Sequence, residues 1–429
     1  MKTRLRFTFL FILLIPKLST SLLVAQTLKE VDLQTCYAKA IENYPLIRQY
    51  NLISKTKDLN ISNASKAYLP QIVFNGQATY QSDVTKIDIQ IPGFPSFEAL
   101  TKDQYKIFAE VSQAIYDGGA VSKQKESIEA GQEVEKLKND VEIYKIKERV
   151  QQMYFGVLLL KAQIKQTEAL RKDLESQKDK LKAALENGTA YRANLDAIDA
   201  ELLKLDQRTI EMNSGIDAFV KMLSQFSALQ LNSETTFIQP TDFAENGLVI
   251  KRPELSLFDY QTLLIDKNLA LNLTRNRPRL SAFLQGGYGK PGLNALKNEF
   301  QTYYIGGLRL QWNLSGLYNL SNDRNLSVLN KSLIQNQRDA FVFNTTLQTQ
   351  QQSEDISKLK KLIKIDEDLI KLRTNIKKTS SVQLENGVIT ASDFIKEWSA
   401  EDQAKQTKLL HEIQLLSAQY LLKITTGNE

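Results

Sequence analysis

The sequence predicts a mainly α, α+β fold, built as an internal duplication of long antiparallel helical hairpins with four β-strands. Three observations predict it. Residues 118–226 read as one helical hairpin far longer than a globular domain uses. The periodicity switches from helical to alternating in four stretches of ten to twelve residues. Prolines, glycines and turn tetrapeptides then recur at matched offsets in the two halves of the chain.

The first hairpin is predicted to descend as one unbroken helix over residues 120–186, with Gly131 and Gly156 as its only glycines. No proline lies between Pro95 and Pro240, so nothing is expected to kink it. At 1.5 Å per residue such an arm is about 100 Å long, roughly three times the hydrocarbon thickness of a bilayer. Glu186-Asn187-Gly188-Thr189 breaks it. The returning arm repeats Leu195, Ile198, Leu202, Leu205, Thr209, Met212, Ile216, Phe219, Leu223 and Phe226 at alternating steps of three and four, a heptad seam.

Composition narrows the function. The chain has 429 residues, 42% hydrophobic and 24% charged, ordinary for a folded protein. It holds one Cys and one His, which removes most thiol and metal chemistry. Cys36 reads as a small semi-buried residue and His411 as a surface or seam position in a helical run. No nucleophile–base pair or phosphate loop appears, so no enzymatic activity, cofactor or metal is expected. Lys2, Arg4, Arg6 and Lys17 stand in the first 25 residues without an acid, which reduces the formal +6 to +2 beyond them. That balance does not point to nucleic acid. Those cations and the apolar run 7–15 read as an export signal over residues 1–25. Beyond it no stretch of 18 apolar residues occurs, so any membrane span must be made of β-strands.

In chain order, residues 28–68 read as a helix that Pro70 ends. Residues 71–80 alternate Ile72, Phe74, Gly76, Ala78 and Tyr80 against Gln71, Val73, Asn75, Gln77 and Thr79. A loop carrying Pro92-Gly93-Phe94-Pro95 leads to a second strand, 105–115, and Tyr116-Asp117-Gly118-Gly119 turns the chain into the hairpin. After an irregular segment, 227–250, with Pro240 and Asn246-Gly247, the pattern repeats. Pro45 to Pro70 and Pro253 to Pro278 are both 25 residues; Gly118 to Gly188 is 70 and Gly316 to Gly387 is 71. The tips read Leu185-Glu186-Asn187-Gly188 and Leu384-Glu385-Asn386-Gly387. The first repeat is therefore 26–250, with strands in 70–116 and helices in 118–226. The second is 251–429, with strands in 278–314 (279–289 and 302–313) and helices in 317–425. Leu362, Ile365, Leu369, Leu372 and Ile376 are the expected seam of the second descending helix. After its tip Phe394 and Trp398 fit a seam, whereas Glu401 and Lys405 interrupt it.

The strands have the length of tilted membrane-spanning strands, about 9–11 residues. Tyr80, Tyr105, Tyr288, Tyr303 and Tyr304 gather at their loop ends, and Tyr116 and Trp312 mark the opposite ends, as an interfacial girdle requires. A soluble sheet packed on a helix alternates the same way. Four strands cannot close a barrel, and an open edge in lipid leaves backbone groups unpaired, so spanning strands must be pooled between chains. Two chains supply eight strands, three supply twelve. The two shorter helices of each repeat, set end to end, match the long one in length.

The duplicated order, Tyr116-Asp117-Gly118-Gly119, the two Leu-Glu-Asn-Gly tips and Leu-Pro before the first strand resemble the TolC family of outer-membrane efflux proteins over about residues 28–426. The resemblance implies a homotrimer that shares a twelve-stranded barrel in outer-membrane lipid and extends an α-barrel of helices through an equatorial zone into the periplasm of a Gram-negative envelope. It implies a passive exit duct for efflux or type I secretion, with a periplasmic adaptor and an inner-membrane pump of the RND, ABC or similar kind as partners. Leu185, Asn187, Gly188, Leu195, Leu384, Asn386, Gly387 and Phe394 fall at the adaptor-docking tips. Asp393 takes the first position of the family's pore-narrowing aspartate pair; Lys396 takes the second and Asn194 is the first-repeat counterpart. Asp393 also stands where a helix cap is expected. A different reading is a periplasm-spanning coiled-coil scaffold without a pore, which accounts for the heptads alone.

Overall fold

The computed structural model describes residues 28–85, 100–242, 249–294 and 297–428. The expected export signal, Pro92-Gly93-Phe94-Pro95 and Asn246-Gly247 lie outside the described residues.

The expected helix over residues 28–68 is divided. Glu30–Val31 forms a short strand, β1, and Asp32 caps helix α1 (Leu33–Asn43) by accepting from the Thr35 N–H at 2.6 Å. Tyr44 is extended before Pro45, as the residue before a proline prefers, so the chain restarts as a short 3-10 turn and then α2 (Gln49–Ser65). Strands β2 (Gln71–Tyr80) and β3 (Asp103–Tyr116) follow. Gly118 and Gly119 both have positive φ, and Asp117 accepts from the N–H groups of Gly119 and Val121, which starts the descending arm.

That arm is not one helix. It is α3 (Ala120–Tyr144) and α4 (Ile146–Glu186), parted at Lys145, whose dihedrals stay helical. Tyr144 next to the break donates to the Ile424 carbonyl at 2.8 Å, so this turn is held by the chain's far end. After the tip come α5 (Arg192–Ser227), β4 (Thr236–Phe237), α6 (Pro253–Leu273), β5 (Arg279–Lys290), β6 (Gln301–Gln311), α7 (Leu320–Glu385) and α8 (Ala391–Thr426). The second descending helix is unbroken: 66 residues, about 100 Å.

Near the sheet, α3 packs on α2 and α6, and α6 on α7; beyond the midpoint, α4 packs on α5 and α8, and α8 on α7. The shorter helices meet end to end. The Lys251 N–H donates to the Thr426 carbonyl at 2.6 Å, joining α8 to α6. The Asn43 amide donates to the Gln225 and Phe226 carbonyls, joining α5 to the α1–α2 bend. The main core lies at this midpoint, where Leu33, Cys36 and Ala40 of α1 meet Val150, Tyr154 and Val157 of α4 and Ile216, Val220 and Leu223 of α5. The parallel pair β1–β4 closes it, and Tyr154 donates to the Val31 and Ile238 carbonyls. Cys36 is fully buried there, and burial first, then the Asp32 charge, pushes its thiol up to about 12, so it stays an inert thiol.

The seam read for α5 is buried or half-buried along its length, with Gly156 and Gly215 lying under Phe219 and Leu160. The seam read for α7 is not the one used. Ile365, Leu369, Leu372 and Ile376 are exposed. The face turned to this chain's other helices carries Gln352, Ile356, Leu359, Asp366, Lys377, Ser380 and Leu384. Sequence patterning missed it because polar residues occupy it, matched across α8 by Asp366 with His411 and Lys377 with Glu401. Near the tips Leu170, Leu174, Leu181, Ile198, Leu205, Leu384, Ala391, Phe394 and Trp398 form a second core that draws on all four lower helices. Phe394→Ala is expected to cost about 3–5 kcal/mol, the range for truncating a buried aromatic, read as a lower thermal midpoint.

Candidate functional site

Two regions gather the expected site residues: the sheet and the tips. The sheet is antiparallel throughout, in the order β2-β3-β5-β6. Residues directly opposite in a ladder share a face, so the register sorts every side chain. Ile72, Phe74 and Ala78 stand with Val111, Ala109 and Tyr105; these stand with Leu284, Gly286 and the β5 end; beyond are Leu308 and Leu310. That face is apolar. The opposite face holds Gln71, Asn75, Gln77 and Thr79 of β2, Lys106, Glu110 and Ser112 of β3, Ser281 and Gln285 of β5, and Arg309 of β6. Val73, Phe108, Phe283 and Ile305 are its apolar members.

Among the described residues no helix packs on either face, and the outer edges of β2 and β6 pair with nothing. Phe74 is 79% exposed and Leu310 70%. The sheet is therefore not the soluble kind that covers its apolar face with a helix of the same chain.

Six of the seven expected girdle residues fall on the apolar side. Tyr80, Tyr105, Tyr288 and Tyr304 follow the ladder register directly. Tyr116 gets there by a bulge: Ala114 pairs with Ser281 and Tyr116 with Leu280, so Ile115 is the extra residue. Trp312 continues the Leu308–Leu310 alternation and its indole N–H donates to the Asn276 carbonyl at 3.0 Å. Tyr303 is the exception. It pairs with Gly287 on the polar face, because alternation puts neighbours Tyr303 and Tyr304 on opposite sides. Phe300, not singled out in the sequence, stacks with Tyr288 and Tyr105 at the loop end, with ring centroids 5.3 and 6.3 Å apart. Across the polar face Arg309 stands over the Phe283 ring at 4.5 Å and reaches Glu110 at 2.9 Å.

At the tips both glycines close Schellman motifs. Gly188 has φ +74° and Gly387 φ +70°; their N–H groups donate to Leu185 and Leu384. The next N–H groups, of Thr189 and Val388, donate to Ala184 and Gln383. Asn187 and Asn386 sit at the C-caps and are exposed. Leu384 and Phe394 are buried in the hairpin core, and Leu185 and Leu195 are half-buried, so none of the four is a free docking surface in this state. What the tips do offer is Tyr191, 80% exposed, and Val388, 69% exposed. Sequence periodicity passed over both because they lie in turns outside any seam.

Asp393 is exposed and is not the N-cap itself. Thr390 caps α8, and Asp393 is the reciprocal member of a capping box, accepting from the Thr390 hydroxyl at 2.6 Å and N–H at 3.1 Å. Those donors, and then the Lys396 charge, hold its carboxyl below the usual range, so it is ionised at neutral pH. Asn194 is half-buried near the start of α5, where the cap residue Tyr191 makes no side-chain bond.

Behind the tips the two hairpins are tied by polar contacts in register: Asp173 with Lys377 at 2.9 Å, Gln177 with Ser381 at 3.0 Å, and Lys180 with Glu385 at 2.7 Å. Glu401, only 1% exposed, receives Lys377, Lys405 and Thr374. Burial pushes its carboxyl up, but the bonds from Lys405, Lys377 and Thr374 outweigh it and hold the group below the usual glutamate range. A depressed carboxyl adds stability above its unfolded value, about 4.3, which is lost as pH falls through the lower folded value. Thermal midpoints should therefore drop on acidification below about pH 4, and less so in Glu401→Gln. Gly188→Ala and Gly387→Ala should each cost about 1–2 kcal/mol, because both need a left-handed backbone; melting curves of the single variants check this.

No protein-family model matches the sequence, and no match is found among curated proteins. Solved structures do match. The outer-membrane channel OprN aligns with TM-score 0.63 at 11% identity over 92% of this chain and 90% of its own. The CmeC outer membrane channel of Campylobacter jejuni aligns with TM-score 0.62 at 12% identity over 92% and 85%. The open state of the MtrE outer membrane channel of Neisseria gonorrhoeae aligns with TM-score 0.59 at 12% identity over 92% and 88%. At such identities the likeness is one of fold, and it runs over nearly the whole described chain: this protein has the fold of outer-membrane channels.

Proposed function

We propose that the protein is an outer-membrane exit duct. A trimer of it forms a passive channel that carries cargo from a periplasmic adaptor and an inner-membrane pump, or a type I secretion engine, to the outside. One observation carries this reading: a sheet bare on both faces and open at both edges, apolar on one side and polar on the other, at the end of helices about 100 Å long. In water the apolar face is a liability; in lipid it is the required surface. The polar face then meets water in a bore.

The open flanks support a ring. One flank of the chain is β2, α2 and α5; the other is β6 and α7. Both carry exposed apolar residues: Leu52, Leu59, Leu203 and Ile210 on the first, Leu329, Leu333, Ile365 and Leu372 on the second. Unlike flanks that match head to tail close a cyclic ring. Three chains pool twelve strands, enough for a water-filled lumen. The unused apolar seam of α7 is the contact to the neighbour. The girdle is Tyr80, Tyr105, Tyr288 and Tyr304 at the outer rim, with Tyr116 and Trp312 at the inner rim. Adaptor helices dock at Asn187, Gly188, Asn386 and Gly387, with Tyr191 and Val388 beside them.

Opening at the periplasmic end separates the α7–α8 hairpin from α4–α5, breaking the Asp173–Lys377 and Lys180–Glu385 pairs. The Asp393 side chains then move apart, and Lys396 moderates their field. A periplasmic scaffold without a pore has the same heptads but no use for the two-faced sheet.

Detergent-extracted protein is expected to run as a heat-modifiable trimer and to conduct ions in planar bilayers; a water-soluble monomer without conductance refutes the reading. Ile365→Asp with Leu372→Asp should dissociate the trimer while leaving the monomer helical by circular dichroism. Asp393→Ala should change conductance or cation block, and unchanged behaviour removes Asp393 from the gate.

A further inference from the structure

The ladder register also fixes the charge of the polar face. Among the described strand residues that face carries Lys106 on β3, Arg279 on β5 and Arg309 on β6, against one carboxylate, Glu110. The β2 members, Gln71, Val73, Asn75, Gln77 and Thr79, are uncharged. Three cations against one anion leave +2 per chain on this face. Arg309 and Glu110 neutralise each other through a two-pronged contact at 2.9 and 3.4 Å, so the uncompensated charges are Lys106 and Arg279. Both side chains are exposed. The apolar face carries Asp103 and Lys290 at its loop end, which cancel.

The two free cations stand at opposite ends of the sheet. Lys106 lies opposite Gln77 and Gly289, near the loop end; Arg279 lies opposite Gln311, at the helix end. At 3.3 Å per residue the ten steps of β5 between those levels span about 33 Å. Resting on the channel reading above, we infer that the barrel is an anion-favouring filter, with a ring of Lys106 side chains at its outer mouth and a ring of Arg279 side chains at its inner mouth. Rings of Lys or Arg raise the local concentration of anions and repel cations in a water-filled bore. The cargo class that suits it bears carboxylate, phosphate or sulfate groups. The tip Asp393 lies a helix length away, about 100 Å and many Debye lengths, so the barrel rings act independently of it.

The test is the reversal potential of the purified full-length protein in planar bilayers under a KCl gradient at low ionic strength. The wild type should favour chloride over potassium, and Lys106→Gln with Arg279→Gln should move the reversal potential toward the cation side. Glu110→Gln, which unmasks Arg309, should move it the other way. Heat-modifiable mobility of each variant shows that its barrel has formed. A conducting wild type without anion preference, or a preference untouched by the double substitution, overturns this inference and leaves the channel standing. The absence of any conductance overturns the channel reading and this inference with it.

Discussion

The backbone amides along the outer edges of β2 and β6 set the terms for the rest of the molecule. Among the described residues nothing in the chain pairs them. Water can serve an open edge, but hydrocarbon cannot, and each unpaired group there costs several kcal/mol. Ile72, Phe74, Leu308 and Leu310 make one face apolar; on the channel reading proposed above that face meets hydrocarbon, and the edges then pair with other chains. The helices repeat the pattern: among the described residues α2 and α5 on one flank and α7 on the other pack on this chain along their inner sides only.

The interior of the lower helices is polar where sequence patterning expects an apolar seam. The apolar stripe of α7 stays exposed instead of packing on α8; on the proposed reading a neighbouring chain covers it. The inside is built from Asp366, Lys377 and Ser381, met by His411, Glu401 and the α4 amide of Gln177. Buried ion pairs contribute little net stability, because desolvation offsets much of the attraction. They do impose register: Lys377 satisfies Asp173 and Glu401 only when α4, α7 and α8 sit at one relative height. An interface of that kind is costly to misalign, yet separable without exposing a large apolar surface, which suits the hairpin separation proposed above.

Local chemistry then ends and aims each element. Schellman turns at Gly188 and Gly387 reverse the chain within a few residues, and the capping box at Thr390 and Asp393 starts the second return. The bulge at Ile115 turns Tyr116 to the apolar side of the sheet. These devices leave side chains uncovered on the polar face of the sheet and at the turns beside Tyr191 and Val388, the surfaces on which the proposals above rest.

Residues alone determined the period of each segment, the hairpin tips and the two faces of every strand, because these are short-range matters of alternation, proline and glycine. The α5 seam was legible for the same reason: its apolar residues face a partner in the same chain. Four things were not legible. The split at Lys145 has no proline or glycine to announce it. Asp32 and Pro45 divided a stretch whose apolar spacing still looked helical. Tyr303 is an aromatic at a strand end like its neighbour, and only the ladder shows which side it takes. The α7 seam misled most, since an apolar heptad says that a helix has a partner but not which one. Only the tertiary structure decided that α8 does not cover this seam, because α8 takes the adjacent polar stripe of α7 through Asp366 with His411 and Lys377 with Glu401, contacts between residues far apart in the chain.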